Sequence, residues 1–583
     1  MKRYVVATGL ILTLFLSGAR AVYADTLGQI QTFRVNVLYD ASGANTLSAT
    51  LRNVSQHAYF YVDDRYWSSL PFDQQQRYAA NLTTLANEFD AVIYPRSTEF
   101  WGKEANAGVD GDAHVVILLE RLVGGSGGYF ETIHNYSQER ASASNAREMI
   151  FVSAESALTG NAKTFLVHEF QHLISFNQKE LLRDVMDDVW LNEARSEYAI
   201  TLAGYSEPFG GSTLQRRMDT FAQSPSDSLV EWPNTSNDYA VASLFAHYIV
   251  DHYGADVIAN SMHNDMAGVS AVESALRQGG EARSFGDVFV DWMVASYLND
   301  RTTNSKYGYI RSGLQALHVP PTLQATIDVS TRANFTYSVR EWQPLWFKAI
   351  MTNTTASHPD ARIRIQGASD VAWRGAVIGT YQNSQISIVP FVSVGGIADV
   401  PIPAQRSGVP LTSVAVAISY GSMQPVGTRS VDVRAVSVSV GIGDASLVST
   451  NIAQSPTPTP NVPAPQYVQL SDGDLIRRAG QDEVYVVWGA YRRYLPRGVL
   501  ELYGFESRPV IEVPDDIFAR YTTSNYVRAQ SQKKVYAVWP DGTKHWMNIT
   551  ATQWDASGRD WGAIFTVNDA EVSWYATGAD ILR

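Results

Sequence analysis

The run Thr164-Phe165-Leu166-Val167-His168-Glu169-Phe170-Gln171-His172-Leu173-Ile174 sets two imidazoles four positions apart in an otherwise apolar stretch. In a helix, residues four apart share a face one turn apart, so His168 and His172 can turn a ring nitrogen each toward one ion. Glu169 projects beside the pair, where it could take a proton from a water that the ion activates. A catalytic zinc site needs a third protein ligand and an open position. Trp190-Leu191-Asn192-Glu193-Ala194-Arg195-Ser196-Glu197-Tyr198 offers that ligand in Glu193, 21 positions after His172. This leaves room for a loop and a returning helix, expected to begin near Leu181. Glu197 lies one turn past Glu193 and faces the same place, so it suits the carboxylate that takes the second N–H of a ligating imidazole.

The elements that must hold these residues follow from periodicity. Ala58-Tyr59-Phe60-Tyr61-Val62 reads as a short strand, Gln74 to Phe89 as an amphipathic helix, and Val115-Val116-Ile117-Leu118-Leu119 as a buried strand. Asp110-Gly111-Asp112 before that strand is either a hint of calcium or a turn that delivers the strand. Gly124 to Phe130 reads as a glycine-rich loop beside the cleft. Asn237-Asp238-Tyr239 opens a helix with Val241, Leu244, Phe245 and Tyr248 on its apolar face, ending near Gly254. Helix continues through Ser284 to Leu298.

The pairing of H-E-x-x-H with W-L-N-E-x-x-x-E-Y about twenty residues later resembles the glutamate-ligand zinc metallopeptidases, the gluzincins, and most of all the hyicolysin-like secreted bacterial peptidases. The resemblance implies an α+β zincin-like domain in which His168, His172 and Glu193 bind zinc and Glu169 is the general base. Ala194 stands where many relatives have glycine, which removes no ligand. The resemblance also implies that Ser144 to Val152 is the strand before the active-site helix, with an edge strand there that pairs with substrate. Related enzymes donate a hydrogen bond to the oxyanion from a tyrosine or histidine. Tyr239 is the first choice for that role, with Tyr198 and His247 behind it, and a rim or core tyrosine is the competing reading. Exopeptidase relatives carry a G-x-M-E-N type motif that is absent here, which favours endopeptidase action.

The chain has 583 residues, 45% hydrophobic, with 14 Trp, 30 Tyr and 22 Phe, so it has core material for several domains. A net charge of −13 without a basic run argues against nucleic-acid binding. There is no cysteine, which excludes disulfides, thiol catalysis and a lipidated N-terminal cysteine. Lys2 and Arg3, the apolar run Val5 to Leu16, and small residues at Ala19, Ala21 and Ala24 read as a signal peptide over 1–24. The expectation is a secreted chain with no membrane span once processed.

A catalytic domain is expected over 25–320. From there the texture changes: Ala361 to Ile365, Ile386 to Pro390 and Val431 to Val438 alternate as half-buried strands, so 321–450 is expected to be a β-sandwich accessory domain. A Pro-rich linker spans 451–466. Residues 467–583 hold an internal repeat. Val484-Tyr485-Val486-Val487-Trp488 recurs 51 positions later as Val535-Tyr536-Ala537-Val538-Trp539, and Arg492-Arg493-Tyr494 matches Lys544-His545-Trp546. Asp515 to Tyr521 is echoed by Asp569 to Tyr575. This resembles an aromatic-and-basic repeat of secreted bacterial proteins, and exposed Trp, Tyr and Arg there suit a glycan or cell-envelope partner. The reading that competes with the enzyme is an adhesin-like binding protein with a vestigial peptidase core.

Overall fold

The computed structural model describes residues 24–443 and 474–581, apart from 38, 124–125, 356–357, 427–430 and short stretches between 479 and 562. The expected export segment before residue 24 and the Pro-rich stretch 451–466 lie outside the described residues, as do Gly124, Gly125, Asp515 and Asp516. The chain forms two compact units, 1–455 and 456–583.

The first unit begins with a six-stranded sheet of β1 (Ile30–Arg34), β2 (Thr46–Val54), β3 (Ala58–Asp63), β4 (Val115–Glu120), β5 (Gly128–Tyr129) and β6 (Met149–Ser153), in the order β1-β2-β3-β4-β6-β5. The pairs β3–β4 and β4–β6 are parallel, and β5 pairs antiparallel to β6 at the end of the sheet. Every residue of β3, β4 and β6 is buried, as continuous apolar runs require of strands covered on both faces. Alternation still sorts them: Phe60, Ile117 and Ile150 enter the helical core, while Tyr59, Val116 and Phe151 enter a smaller core on the other face. The interior place of β6 corrects the expectation of an edge strand within Ser144–Val152. The edge is β5, too short to be seen as an alternating run.

The helices of the first layer are α1 (Asp64–Ser69), α2 (Phe72–Glu88), α3 (Tyr94–Trp101), α4 (Ser156–Thr159) and α5 (Ala162–Ser175). A wider π-helical turn over Phe176–Leu181 continues α5. The next helix, α6 (Val189–Leu202), therefore begins eight residues later than the expected start at Leu181. Its N-terminal neighbour Asp188 is extended, and Asp184 has a positive φ of 55°, so the loop between them turns the chain before helix can resume. There follow α7 (Thr213–Gln223), α8 (Ser236–Tyr253), α9 (Ala255–Met262), α10 (Gly268–Gln278) and α11 (Phe285–Leu298). Helix α8 starts on a capping box of Thr235 and Asp238, which satisfies otherwise orphaned N–H groups. It stops at Gly254, whose φ of 89° suits a residue without Cβ.

Ten strands come next: β7 (Leu323–Ile327), β8 (Arg332–Arg340), β9 (Leu345–Met351), β10 (Ala361–Gly367), β11 (Arg374–Tyr381), β12 (Ile386–Val392), β13 (Ile397–Ile402), β14 (Gln405–Arg406), β15 (Val409–Ser419) and β16 (Val433–Ile442). One sheet has the order β13-β10-β16-β8 and the other β12-β11-β15-β9-β7. They share a core of Phe347, Ile363, Ile365, Val377, Val416 and Val438. The outward face of the second sheet is not solvated. Trp346, Ala376, Ile378, Ala415 and Ala417 join the helical core instead, against α11. Strands β11 and β15, which the alternating runs of β10, β12 and β16 do not include, are covered on both faces.

The second unit contains two five-stranded sheets. Strands at Leu475–Arg478, Val484–Trp488, Tyr491–Tyr494, Val510–Val513 and Thr522–Thr523 form one; strands at Tyr526–Ala529, Val535–Val538, Thr543–Trp546, Ile564–Val567 and Ala576–Thr577 form the other. Both use the same order and the same parallel and antiparallel pairings. Arg493 is not exposed as expected: it is buried, ion-paired at 2.5 Å to the buried Glu571, which also accepts from the hydroxyls of Tyr503 and Tyr575. Trp488, Trp539 and Trp574 stay 40–46% exposed.

Candidate active site

Helix α5 presents His168 and His172 to one side, and α6 packs on it so that Glu193 meets them. The Nε2 atoms of the two histidines are 3.3 Å apart, and Glu193 Oε2 lies 3.1 Å from His168 Nε2 and 3.5 Å from His172 Nε2. Among the described residues this is the group of three His, Cys, Asp or Glu side chains placed to hold a metal ion. Zinc bonds of about 2.0–2.2 Å in a tetrahedral arrangement separate neighbouring donors by roughly 3.3–3.6 Å. The observed edges of 3.1–3.5 Å therefore fit two imidazoles and one carboxylate around such an ion.

The second nitrogen of each ring faces a polar partner. His168 Nδ1 faces Glu197 Oε1 at 3.7 Å, and Arg217 grips the Glu197 carboxylate with two hydrogen bonds of 2.8 and 2.9 Å. His172 Nδ1 meets Ser196 Oγ at 3.2 Å, and that hydroxyl donates to Gln171 Oε1. Burial opposes charge on His168, but the Glu193 carboxylate bonded to it, with Glu169 and Glu197 close by, holds its pKa up at about 9. Burial likewise opposes ionisation of Glu193, and the two imidazoles overcome it and hold the carboxyl far below its usual range.

Glu169 is buried on the cleft floor, and burial raises its pKa while both histidines partly offset that. The cleft has a volume of about 360 Å³. The backbone of β5 runs so close to Glu169 that a Cβ on Gly128 would lie 2.9 Å from Glu169 Oε1. Tyr239 also lines the cleft, its ring 6.4 Å from that of His168 and its hydroxyl donating to Asn234 Oδ1 at 2.9 Å. Burial and the carboxylates of Glu193, Glu169 and Glu197 push that hydroxyl well above its ordinary pKa, so it remains a proton donor. Tyr198 and His247 do not line the cleft; they pack on each other, and His247 Nε2 engages Thr201 Oγ1 at 2.9 Å.

Several residues in or beside the cleft carry no sequence signal. Trp232 packs edge-on to Tyr239 at 5.0 Å, Arg217 stacks over the same ring at 4.7 Å, and Tyr39 stacks on Tyr129 at 4.6 Å. Ser196 is different: its spacing from Glu193 and Glu197 within α6 would have placed it at the site. The carboxylates of Asp110 and Asp112 serve the turn before β4, accepting from Asp112 N, His114 N and the Tyr59 hydroxyl.

The three donors could hold a metal ion, and the acid beside them makes the arrangement comparable to the His-His-Glu sites that hydrolytic enzymes use. The chain is similar to a neutral metalloprotease, ShpI of Staphylococcus hyicus, at 26% identity over 244 residues, or 37% of this chain and 53% of that protein. The match thus spans about half the length of that relative, and it relates the chain to a metallopeptidase. No family model matches the chain. Among solved structures, the periplasmic lysozyme inhibitor PliG of Aeromonas hydrophila covers 21% of this chain and 98% of its own, with 11% identity and a TM-score of 0.14, a likeness too slight to carry an argument. No helix among the described residues is long and apolar enough to cross a membrane.

Proposed function

We propose that this chain is a secreted zinc endopeptidase whose chemistry is carried by residues 25–320. The observation that supports it most directly is the meeting of His168, His172 and Glu193 within 3.1–3.5 Å on a cleft floor that also carries Glu169. When bound, zinc would supply Lewis-acid chemistry, polarising a scissile carbonyl and acidifying water. Glu169 takes the proton of the attacking water and delivers it to the leaving amine, a double role that its burial-raised pKa suits. The Tyr239 hydroxyl turns from Asn234 Oδ1 to donate to the developing oxyanion. The free edge of β5 pairs with an extended substrate backbone, which sets the scissile bond over the site. Glu197, held by Arg217, and Ser196 keep the two imidazoles turned toward the metal. Residues 467–583 are read as an attachment module for a cell-envelope or glycan partner, a reading supported by the exposed Trp488, Trp539 and Trp574.

The deciding test pairs metal analysis with cleavage of unfolded casein. The wild type is expected to hold about one zinc per chain and to lose activity with a chelator. Glu169→Gln should keep the zinc and lose about 10²–10⁴-fold in kcat. Full activity in that variant would sink the mechanism, and a wild type without metal would sink the enzyme.

A further inference from the structure

The cleft does not stop at the metal ligands. It follows the continuation of α5 past Ser175 and Phe176 to Lys179 and Glu180, with Val189 on the facing side. The charged groups at this end differ in one respect. The Lys179 ammonium is buried and already donates to Asn264 O at 2.9 Å and Met266 O at 2.6 Å. Asp187 is ion-paired to Arg195 at 2.6 Å and accepts from Gly268 N. Arg183, one turn further, donates to Gln178 O and faces Asp265 at 3.8 Å. The Glu180 carboxylate is half-buried and has no partner among the described residues. Burial alone moves its pKa, upward. Phe176, edge-packed by Tyr136 and 6.1 Å from Phe130, supplies an apolar wall beside it.

We propose that Glu180 is a specificity residue that receives a lysine or arginine side chain of the substrate, its methylene stem lying along Phe176 and Val189. This rests on the endopeptidase reading above and names the substrate class of the same cleft. A carboxylate already partly desolvated and left unpaired gains most from a cation, while long basic side chains cover apolar surface with their stems. Glu180 lies eight residues beyond His172, roughly 10–12 Å along the helix at about 1.5 Å per residue. An extended chain advances about 3.3 Å per residue, so the recognised position is three or four residues from the scissile bond. That is beyond the positions that touch the metal ligands.

The test uses the full zinc-loaded chain and a set of fluorogenic peptides that differ only by Lys, Gln or Glu at each position from four before to four after the scissile bond. The wild type is expected to favour Lys at one distal position on the order of tenfold in kcat/KM, less at high salt. Glu180→Gln should bring that ratio close to one, and Glu180→Lys should reverse it toward a Glu-containing peptide. Cleavage of all peptides with no charge preference, or a preference that survives Glu180→Gln, overturns the subsite and leaves the endopeptidase reading standing. Cleavage of none of them by wild type overturns both.

Discussion

On the proposed reading, Glu197 acts on a metal it does not touch. Its carboxylate is held by Arg217 and set against His168 Nδ1, so its loss would free both the imidazole and a half-buried guanidinium. Glu197→Ala is expected to weaken zinc binding by about 10–100-fold, measured by competition with a chromophoric chelator. An unchanged affinity would mean that packing alone orients His168. Glu120 poses a different residue-scale problem. Burial, reinforced by Asp40, Asp63 and Glu131, raises its pKa from 4.5 to about 8 at the end of β4. For an acid raised in this way, the stabilisation is complete below the unfolded value and is lost as pH climbs through the folded one. Stability should therefore fall between about pH 4.5 and 8. Glu120→Gln cannot ionise, so its Tm should exceed that of the wild type by a few degrees at pH 8, and the gap should close toward pH 4. Parallel pH profiles of the two proteins would refute this account.

At the scale of elements, the site is a contact between β5 and α5. Gly128 is the residue through which they touch: a Cβ there would meet Phe151 O at 2.7 Å and Glu169 Cγ at 2.8 Å. The backbone oxygen belongs to β6 and cannot yield without breaking the sheet pairing, so Glu169 has to move. Gly128→Ala should lower kcat by about 10–100-fold, since a shift of about 1 Å in a catalytic group is enough for that. Metal content should be unchanged, as none of the three ligands is involved. A wild-type kcat in this variant would show that the edge strand can relax outward. The π-helical turn after α5 belongs to this scale too, since it carries the cleft on to Glu180.

At the scale of the molecule, the β-sheet layer after residue 320 braces the helical layer that carries the cleft. The turn between β8 and β9 holds the loop that ends in Trp232 and Asn234: Leu229 N donates to Trp342 O at 3.0 Å, and Gln343 Nε2 to Ser226 O at 2.8 Å. Val426 N donates to Asp188 Oδ2 at 3.0 Å, just ahead of α6. Trp342 and Trp346 are buried in the helical core itself. A chain ended after residue 320 would expose α11 and that loop, so it is expected to be insoluble or inactive. A chain ended after residue 455 keeps the first unit whole and should cleave a short peptide with a kcat/KM within about twofold of the full chain. Full activity in the shorter truncation would remove the bracing role; loss of activity in the longer one would give residues 456–583 a part in the chemistry.

What the sequence determined by itself is whatever a single element's period imposes. His168 and His172 share a helix face at any location in any fold, as do Glu193, Ser196 and Glu197 on theirs. Residues 58–62 and 115–119 must be strands inside something, because apolar residues without a polar alternate have no solvent face. The metal-ligand spacing and the likeness to zinc peptidases came from these local rules. The tertiary structure alone decided the rest. Arg217 reaches Glu197 across 20 residues, and Tyr39 and Trp232, far apart in the sequence, both reach the cleft. Strand β5, two residues long, exists only because β6 offers it an edge. The sheet of β11 and β15 hides its outer face because α11 is there to cover it. Such contacts join residues far apart in the chain, and no period within one segment encodes which distant surface will come to meet it.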